Sequence, residues 1–354
     1  MAMWRSGEGG LNVRAAVVRL LVVGAAVIGV LLVWAVSAQA ATFQNGNGIS
    51  VVSQSANGRE IDLQVTTTAV QGTHEVIVLL PEGYDTNTTA RYPVLYLFHG
   101  ALAGPTAWTV PPGAAPQITD PYPIITVIPD AGVKGWNTNW VNGYQLSPQN
   151  WLDFHLSQVV PWIDANLRTI ADRAGRAVAG LSMGGFGSIH YAEERPDLFS
   201  YAAGCSGALD LGNFATESAI GGEELGFVPG SGTPVPPGAI FGPEYAPFNQ
   251  NEINLSDVNP ANVAKLSNTA VALYVGTGDL QTNPGGAMIE SQVKPQNDLM
   301  ASRMAQSGIN YWYSQDHEPS PNFGWGCDNN HDQMCWNAYL ADDMPRMMAV
   351  LQHP

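Results

Sequence analysis

The feature that most constrains the fold is a short apolar segment followed at once by a glycine-rich turn and a helical pattern. Residues 177–179 are the apolar segment, Gly180-Leu181-Ser182-Met183-Gly184 is the turn, and residues 183–194 are the helical pattern. A strand-to-helix turn of this kind leaves no room for side chains two positions before and after the serine. Both of those positions are Gly. Ser182 is therefore predicted to project from the end of a central strand, where it can act as a nucleophile.

Strand-like and helix-like segments alternate along most of the remaining chain. Residues 49–53, 60–66 and 75–80 alternate apolar and polar side chains, as antiparallel strands do. Segments that are apolar on both faces follow at 93–98, 124–128, 177–179, 201–205, 270–275 and 309–313. Helical patterns lie at 151–167, 183–194, 296–307 and 336–350. This alternation predicts an α/β-hydrolase fold with a mostly parallel central sheet and helices on both faces.

Residues 207–262 interrupt the alternation, because they are rich in Gly, Pro, Asn and acidic residues and have few periodic apolar positions. In open α/β sheets, ligands bind beyond the carboxyl ends of the strands. We therefore expect residues 207–262 to form an insertion or cap over the active site. A long surface loop without any part in the site is the alternative.

The first forty residues have the pattern of an export signal. Arg14 and Arg19 precede an apolar run at residues 20–36, and Ala38-Gln39-Ala40 supplies small residues at a cleavage point. Residues 1–40 are therefore predicted to be a signal peptide, with a retained membrane anchor as the alternative. Residues 41–354 are then a single catalytic domain that is secreted and extracellular or bound in the cell wall.

Charge and cysteine content limit the partners. The formal net charge is −16, and such an acidic chain repels nucleic acid, so no nucleic-acid partner is expected.

Cys327 and Cys335 lie eight residues apart in a Gly/Asn-rich segment, and a disulfide between them is a hypothesis that export would permit. Cys205 is expected to be a buried free thiol. No Cys/His spacing is typical of a structural zinc site, and neither a metal nor a cofactor is expected.

Acyl transfer through a serine also requires hydrogen-bond donors for the oxyanion. The backbone N–H of Met183, at the start of the helix, is the first candidate. The second is the N–H of Ala101, because the loop after an earlier strand commonly supplies it. His99, at the end of that strand, is expected to be a structural residue rather than a proton carrier.

The base and the acid should follow the serine in the chain, the acid first. His317 and His331 both come after the last predicted strand and are the two candidates for the base. Asp279, just after the strand at 270–275, and Glu290, further along, are the two candidates for the acid. Spacing does not choose within either pair.

With these residues assembled, the chain resembles the secreted mycolyltransferases (the antigen 85 family), within the esterase D-like group of α/β hydrolases. The resemblance extends over about residues 49–350. The matching pieces are Asn57-Gly58-Arg59, residues 180–184, residues 199–210 with Ser206-Gly207, Phe241-Gly242-Pro243, residues 259–266 and His331 with Trp336 five positions later.

The resemblance implies that His331 is the base and Glu290 the acid. It also implies that the acyl enzyme on Ser182 transfers a long-chain, mycolic-type group to a sugar hydroxyl such as one of trehalose, in association with the cell envelope. The chain departs from the family at His99-Gly100, where mycolyltransferases usually have Asp-Gly. A secreted carboxylesterase that transfers the acyl group to water is therefore the alternative, and a non-catalytic cell-surface binding protein is a third reading.

Overall fold

The computed structural model describes residues 41–141, 147–316 and 325–354. Within them, the strands are β1 (Ile49–Asn57), β2 (Glu60–Thr67), β3 (Thr73–Leu79), β4 (Val94–Phe98), β5 (Ile125–Pro129), β6 (Arg176–Leu181), β7 (Tyr201–Cys205), β8 (Ala270–Tyr274) and β9 (Tyr311–Tyr313). They form one sheet in the order β1-β2-β3-β5-β4-β6-β7-β8-β9. The pairs β1–β2, β2–β3 and β3–β5 are antiparallel. The pairs from β5–β4 to β8–β9 are parallel.

Helices connect and cover the strands. They are α1 (Ala115–Thr119), α2 (Val160–Asn166), α3 (Met183–Glu194), α4 (Phe214–Glu224), α5 (Gln250–Leu255), α6 (Pro260–Val263), α7 (Pro284–Gln306) and α8 (Gln333–Val350). A π-helical segment, Asp153–Val159, leads into α2. Short 3₁₀ turns lie at Pro105–Ala107, Arg173–Gly175, Ala264–Asn268 and Ser314–Asp316.

The central strands are apolar on both faces because both faces are covered. In β4, Val94 and Phe98 pack into one hydrophobic core while Leu95 and Leu97 pack into a second one. Every residue of β4, β5, β6 and β7 is buried. The predicted α/β-hydrolase fold, with a mostly parallel sheet between two helical layers, is confirmed.

Two of the longer helices differ most from the sequence prediction. Helix α7 begins at Pro284, twelve residues before the predicted start at 296, because Asn283 caps it by accepting the N–H of Gly286 and Pro284 occupies its first turn. The two glycines that follow Pro284 concealed this start. Segment 207–262 also contains the helix α4, whose buried residues include three glutamates, so no apolar stripe indicated it.

The predicted leader, residues 1–40, lies outside the described residues. Among the residues that the structure does describe, no helix has the length and apolar character needed to cross a membrane. The described residues from 41 onward belong to one compact unit.

Candidate active site

Ser182 stands on the sharp turn between β6 and α3. Its backbone has φ +53° and ψ −118°, a strained conformation for a residue other than glycine. The two flanking glycines make the turn possible. A Cβ on Gly180 would lie 2.2 Å from the carbonyl oxygen of Gly184, and one on Gly184 would lie 2.6 Å from the carbonyl oxygens of Phe98 and His99. The turn therefore holds the serine at the carboxyl end of the sheet, next to the end of β4.

A histidine and a carboxylate are aligned with this serine. Nε2 of His331 lies 3.0 Å from Oγ of Ser182. On the other side of the ring, Nδ1 lies 2.8 Å from Oε2 of Glu290. A carboxylate accepts, so Nδ1 carries the ring proton and donates it to Glu290, which leaves Nε2 free to accept the Oγ–H of Ser182. The structure thus brings together the three residues that the family resemblance selected.

Glu290 is completely buried on α7, and its carboxylate is bound on both oxygens. Oε1 accepts hydrogen bonds from Oγ of Ser206, at 2.8 Å, and from the backbone N–H of Gly276, at 2.5 Å. Oε2 faces His331. Buried carboxylates are costly unless hydrogen-bonded, and these donors satisfy Glu290 while fixing its direction.

The alternative acid, Asp279, lies elsewhere. Its side chain accepts the backbone N–H of Gln281 at 2.8 Å, which stabilises the turn before α7. Its backbone N–H donates to the side chain of Asn330, the residue before His331. Asp279 therefore supports the loop of His331 without a described bond to the imidazole. The alternative base, His317, lies outside the described residues.

The loop that carries His331 is closed by the predicted disulfide, because Cys327 and Cys335 are bonded in the structure. The loop packs directly on the turn after β8. A Cβ on Gly276 would lie 2.1 Å from the carbonyl oxygen of Asn329, and the N–H of Gly278 donates to that same oxygen. Cys205, predicted to be a buried free thiol, is buried and unbonded to another cysteine.

Trp336, five positions after His331, contacts the catalytic histidine and the residue that binds Glu290. Its ring meets the imidazole edge-on, with the centroids 5.0 Å apart and the planes at 88°. Its Nε1–H donates to Oγ of Ser206 at 3.3 Å. Ser206, which has φ +50°, in turn donates to Glu290. Both residues belong to the pieces that match the family, but their place in the sequence does not indicate that they position the acid and the base.

The two predicted oxyanion donors lie beside the nucleophile. Met183 is the first residue of α3, so its N–H has no acceptor within the helix. Ala101 follows Gly100, where a Cβ would lie only 3.2 Å from Cβ of Ser182. Both residues line the same cavity as Ser182.

His99 holds the loop that carries Ala101. It is fully buried, its Nδ1 donates to the carbonyl oxygen of Gly100 at 2.8 Å, and its Nε2 accepts the N–H of Ala131 at 2.9 Å. Both ring nitrogens are therefore occupied by backbone groups. This geometry agrees with the structural role that we expected for His99.

A cavity of about 400 Å³ opens in front of Ser182. Its wall is mainly apolar, and segment 207–262 supplies part of it. The residues contributed by that segment are Ala208, Ala215, Thr216, Ala219, Glu223 and Val228. Segment 207–262 thus forms one side of the cavity. Pockets of this size and character bind small organic groups.

Glu223 is the acidic residue of this wall, and no motif in the sequence indicated it. Its Oε2 accepts the indole N–H of Trp136 at 2.8 Å. Burial raises the pKa of Glu223 to about 7, because an ionised carboxylate is poorly solvated there. The cavity therefore has one carboxyl whose charge changes near neutral pH.

Comparisons with known proteins identify the family of the chain. Over residues 67–347 the chain matches the model of the Esterase family. An esterase of Mycobacterium tuberculosis is 40% identical over 168 residues, which are 47% of this chain and 36% of that protein. The chain thus spans about a third of the length of that relative.

Two further comparisons are more distant. The diacylglycerol acyltransferase/mycolyltransferase Ag85A of Mycobacterium bovis is 28% identical over 200 residues, 53% of this chain and 54% of that protein. The solved structure of a ferulic acid esterase superposes with a TM-score of 0.59 and 20% identity over 82% of this chain and 98% of that one, which supports the fold. The chain belongs to the Esterase family.

Proposed function

We propose that this protein is a serine ester hydrolase in which Ser182 is the nucleophile, His331 the general base and Glu290 the residue that orients the base. The observation that carries the proposal is the continuous hydrogen-bonded chain from Ser182 Oγ through both ring nitrogens of His331 to Glu290 Oε2. The apolar cavity in front of Ser182 supplies room for an acyl group.

In the acylation step, Nε2 of His331 takes the proton of Ser182 Oγ while Oγ attacks the ester carbonyl carbon. The carbonyl oxygen becomes an oxyanion, and the N–H groups of Met183 and Ala101 donate to it. One such donor is typically worth about 3 kcal/mol in the transition state. The imidazolium then gives its proton to the departing alkoxide, and the acyl group stays on Ser182.

In the second step, an acceptor hydroxyl loses its proton to Nε2 of His331 and attacks the acyl carbon. The tetrahedral intermediate collapses, the acyl group leaves on the acceptor, and the proton returns to Ser182 Oγ. Glu290 stabilises the imidazolium in both steps and keeps the tautomer that accepts at Nε2. Water as the acceptor gives hydrolysis.

A sugar hydroxyl as the acceptor is the second candidate, with a long-chain acyl group as the substrate. The match to a mycolyltransferase at 28% identity and the apolar lining of the cavity favour it. The 40% identity to an esterase favours water, and we place hydrolysis first for that reason.

We further propose that the protein acts outside the cell and is associated with the cell envelope, since the leader pattern and the disulfide both suit export.

One assay separates these readings. Purified wild type and Ser182→Ala are incubated with short nitrophenyl esters and with a labelled acyl-trehalose, with and without free trehalose. Hydrolysis by wild type alone supports the serine esterase, and label that appears in diacylated trehalose supports acyl transfer to sugar. If wild type and Ser182→Ala are equally inert on every substrate, or equally active, the proposal is wrong.

A further inference from the structure

A second cluster of chemically competent side chains lies behind the nucleophile, on the helix that begins at Met183. His190 and Glu193 are three positions apart on α3, so their side chains point to the same side of the helix. Asp257, in the turn between α5 and α6, meets them from segment 207–262. The ligand atoms of the three residues all lie within 4.8 Å of one another.

The cluster is deeply buried. His190 is 1% exposed, and Glu193 and Asp257 are 0% exposed. Nδ1 of His190 and all four carboxylate oxygens have no hydrogen-bond partner among the described residues. Five unpartnered polar atoms at one buried point are exceptional, because buried polar groups are nearly always bonded. Ionised carboxylates at such a point are costly unless a positive charge compensates them.

The lysine nearest in the fold is bonded to a different carboxylate. Nζ of Lys265 is hydrogen-bonded to Glu194, the next residue on the helix, at 3.2 Å. As a metal ligand, His190 would bind through a neutral imidazole, and its ring stacks on Phe186, with the centroids 5.0 Å apart and the planes at 17°. A dication would offset the two carboxylates and leave the cluster neutral.

From these observations we infer that His190, Glu193 and Asp257 bind one divalent transition-metal ion, with Zn²⁺ as the best fit. One imidazole nitrogen and two carboxylate oxygens are ligands that suit Zn²⁺. With metal–ligand bonds of about 2.1 Å, tetrahedral ligands lie about 3.4 Å apart. Nδ1 of His190 and Oδ1 of Asp257 already lie 3.5 Å apart. The ligand oxygen of Glu193 lies within 4.8 Å of these two atoms and would move closer to them on binding the ion.

The site is structural, because Ser182 and the cavity are not part of it. Its ligands come from two parts of the fold: α3, which positions the N–H of Met183, and segment 207–262, which forms one wall of the cavity. The ion therefore fastens that segment to the helix behind the nucleophile. Sequence spacing gave no sign of the site, since Asp257 is distant in the chain and only His190 and Glu193 are close.

The test begins with the full chain, purified without chelators after expression in zinc-supplemented medium. Elemental analysis should find close to one zinc per chain, and removal with dipicolinate should lower the melting temperature by several degrees until Zn²⁺ is restored. Glu193→Gln and Asp257→Asn should each lose the zinc while keeping the side-chain shape. Glu194→Gln is the matched control, and it should retain the metal.

A chain that contains less than a tenth of an equivalent of zinc after loading, with a melting temperature that dipicolinate does not change, overturns the proposal. In that case a proton shared between the two carboxyls occupies the cluster. Zinc that remains at full occupancy in Glu193→Gln and Asp257→Asn also overturns it, because the ion then lies elsewhere. The measurements on wild type decide the question even if neither of these variants folds.

Discussion

Nδ1 of His331 lies 2.8 Å from Oε2 of Glu290, although Asp279 follows the preceding strand much more closely. The carboxylate that reaches the imidazole comes from the second turn of a helix, and it is held there by Ser206 and the N–H of Gly276. Glu290, further along the chain from β8, thus binds the imidazole, whereas Asp279, just after β8, stabilises a turn.

Replacement of each acid by its amide should separate their roles. Glu290→Gln is expected to lower kcat by about 10³–10⁴-fold, because the amide can no longer stabilise the imidazolium or hold the correct tautomer. Asp279→Asn keeps an oxygen for the N–H of Gln281 and should lower kcat by no more than a few-fold. Steady-state kinetics on one nitrophenyl ester measures both. The reverse order of the two losses would contradict the assignment.

Ser206 and Trp336 are predicted to be positioning residues. Ser206→Ala removes a hydrogen bond to an ionised carboxylate, a loss of about 1.5–3 kcal/mol, so kcat should fall by roughly 10- to 100-fold. KM should stay unchanged, because neither Oγ of Ser206 nor its partner Glu290 lines the cavity. Trp336→Phe, which keeps a ring against His331 but loses the N–H donor, should have a smaller effect on kcat. Equal changes in KM and kcat, or a loss of folding by circular dichroism, would point to a merely structural role.

The disulfide should matter for activity as well as for stability. Cys327→Ser with Cys335→Ser opens a short loop, which costs about 2–3 kcal/mol of unfolding free energy. The same change frees the loop that holds His331 against Ser182, so kcat should fall at least tenfold at a temperature where the variant stays folded. Cys205→Ala is the control for cysteine removal as such. Full activity in the double variant would show that packing on Gly276 alone positions His331.

The charge on Glu223 should make substrate binding depend on pH. Its carboxyl, with a pKa of about 7, is mainly neutral below pH 7 and ionised above it. The raised pKa means that the folded chain binds this proton more tightly than the unfolded chain does, so the associated stability is lost as the pH rises through 7. An ionised Glu223 in the cavity wall disfavours an apolar acyl group beside it. KM for an ester with such a group should therefore increase between pH 6 and pH 8.5.

Glu223→Gln provides the comparison, because it keeps a carbonyl oxygen for the indole N–H of Trp136 and cannot ionise. Its KM should stay level over the same pH range. A parallel rise of KM in wild type and Glu223→Gln would assign the pH dependence to another group.

Local patterns revealed the nucleophile, whereas tertiary packing decided its partners. The turn around Ser182 is predictable because its glycines meet atoms only a few residues away or at the end of β4. The choice of Glu290 over Asp279 depends on where α7 begins. The sequence did not indicate that start, because Pro284 and the two glycines after it are typical of a loop. The role of Glu223 follows from its burial against Trp136, which no spacing in the chain reveals.

The same reasoning applies to the cluster behind the nucleophile. His190 and Glu193 look like ordinary helical residues until the turn that carries Asp257 packs on them. By contrast, the disulfide was accessible to a sequence argument, because both cysteines lie in one short segment. Local patterns can thus predict contacts within a segment. Contacts between distant segments followed only from the family resemblance, as for His331 and Glu290, or were not predicted, as for Asp257.

The central claim is that Ser182 forms a covalent acyl enzyme, and trapping that species tests it most directly. The enzyme is mixed with a nitrophenyl ester, quenched with acid within milliseconds, digested and examined by mass spectrometry. The account predicts an acyl mass increment on the peptide that contains Ser182, matched by a burst of nitrophenol with an amplitude near one per active site. An acyl group on a different residue, or undiminished hydrolysis by Ser182→Ala, would contradict it.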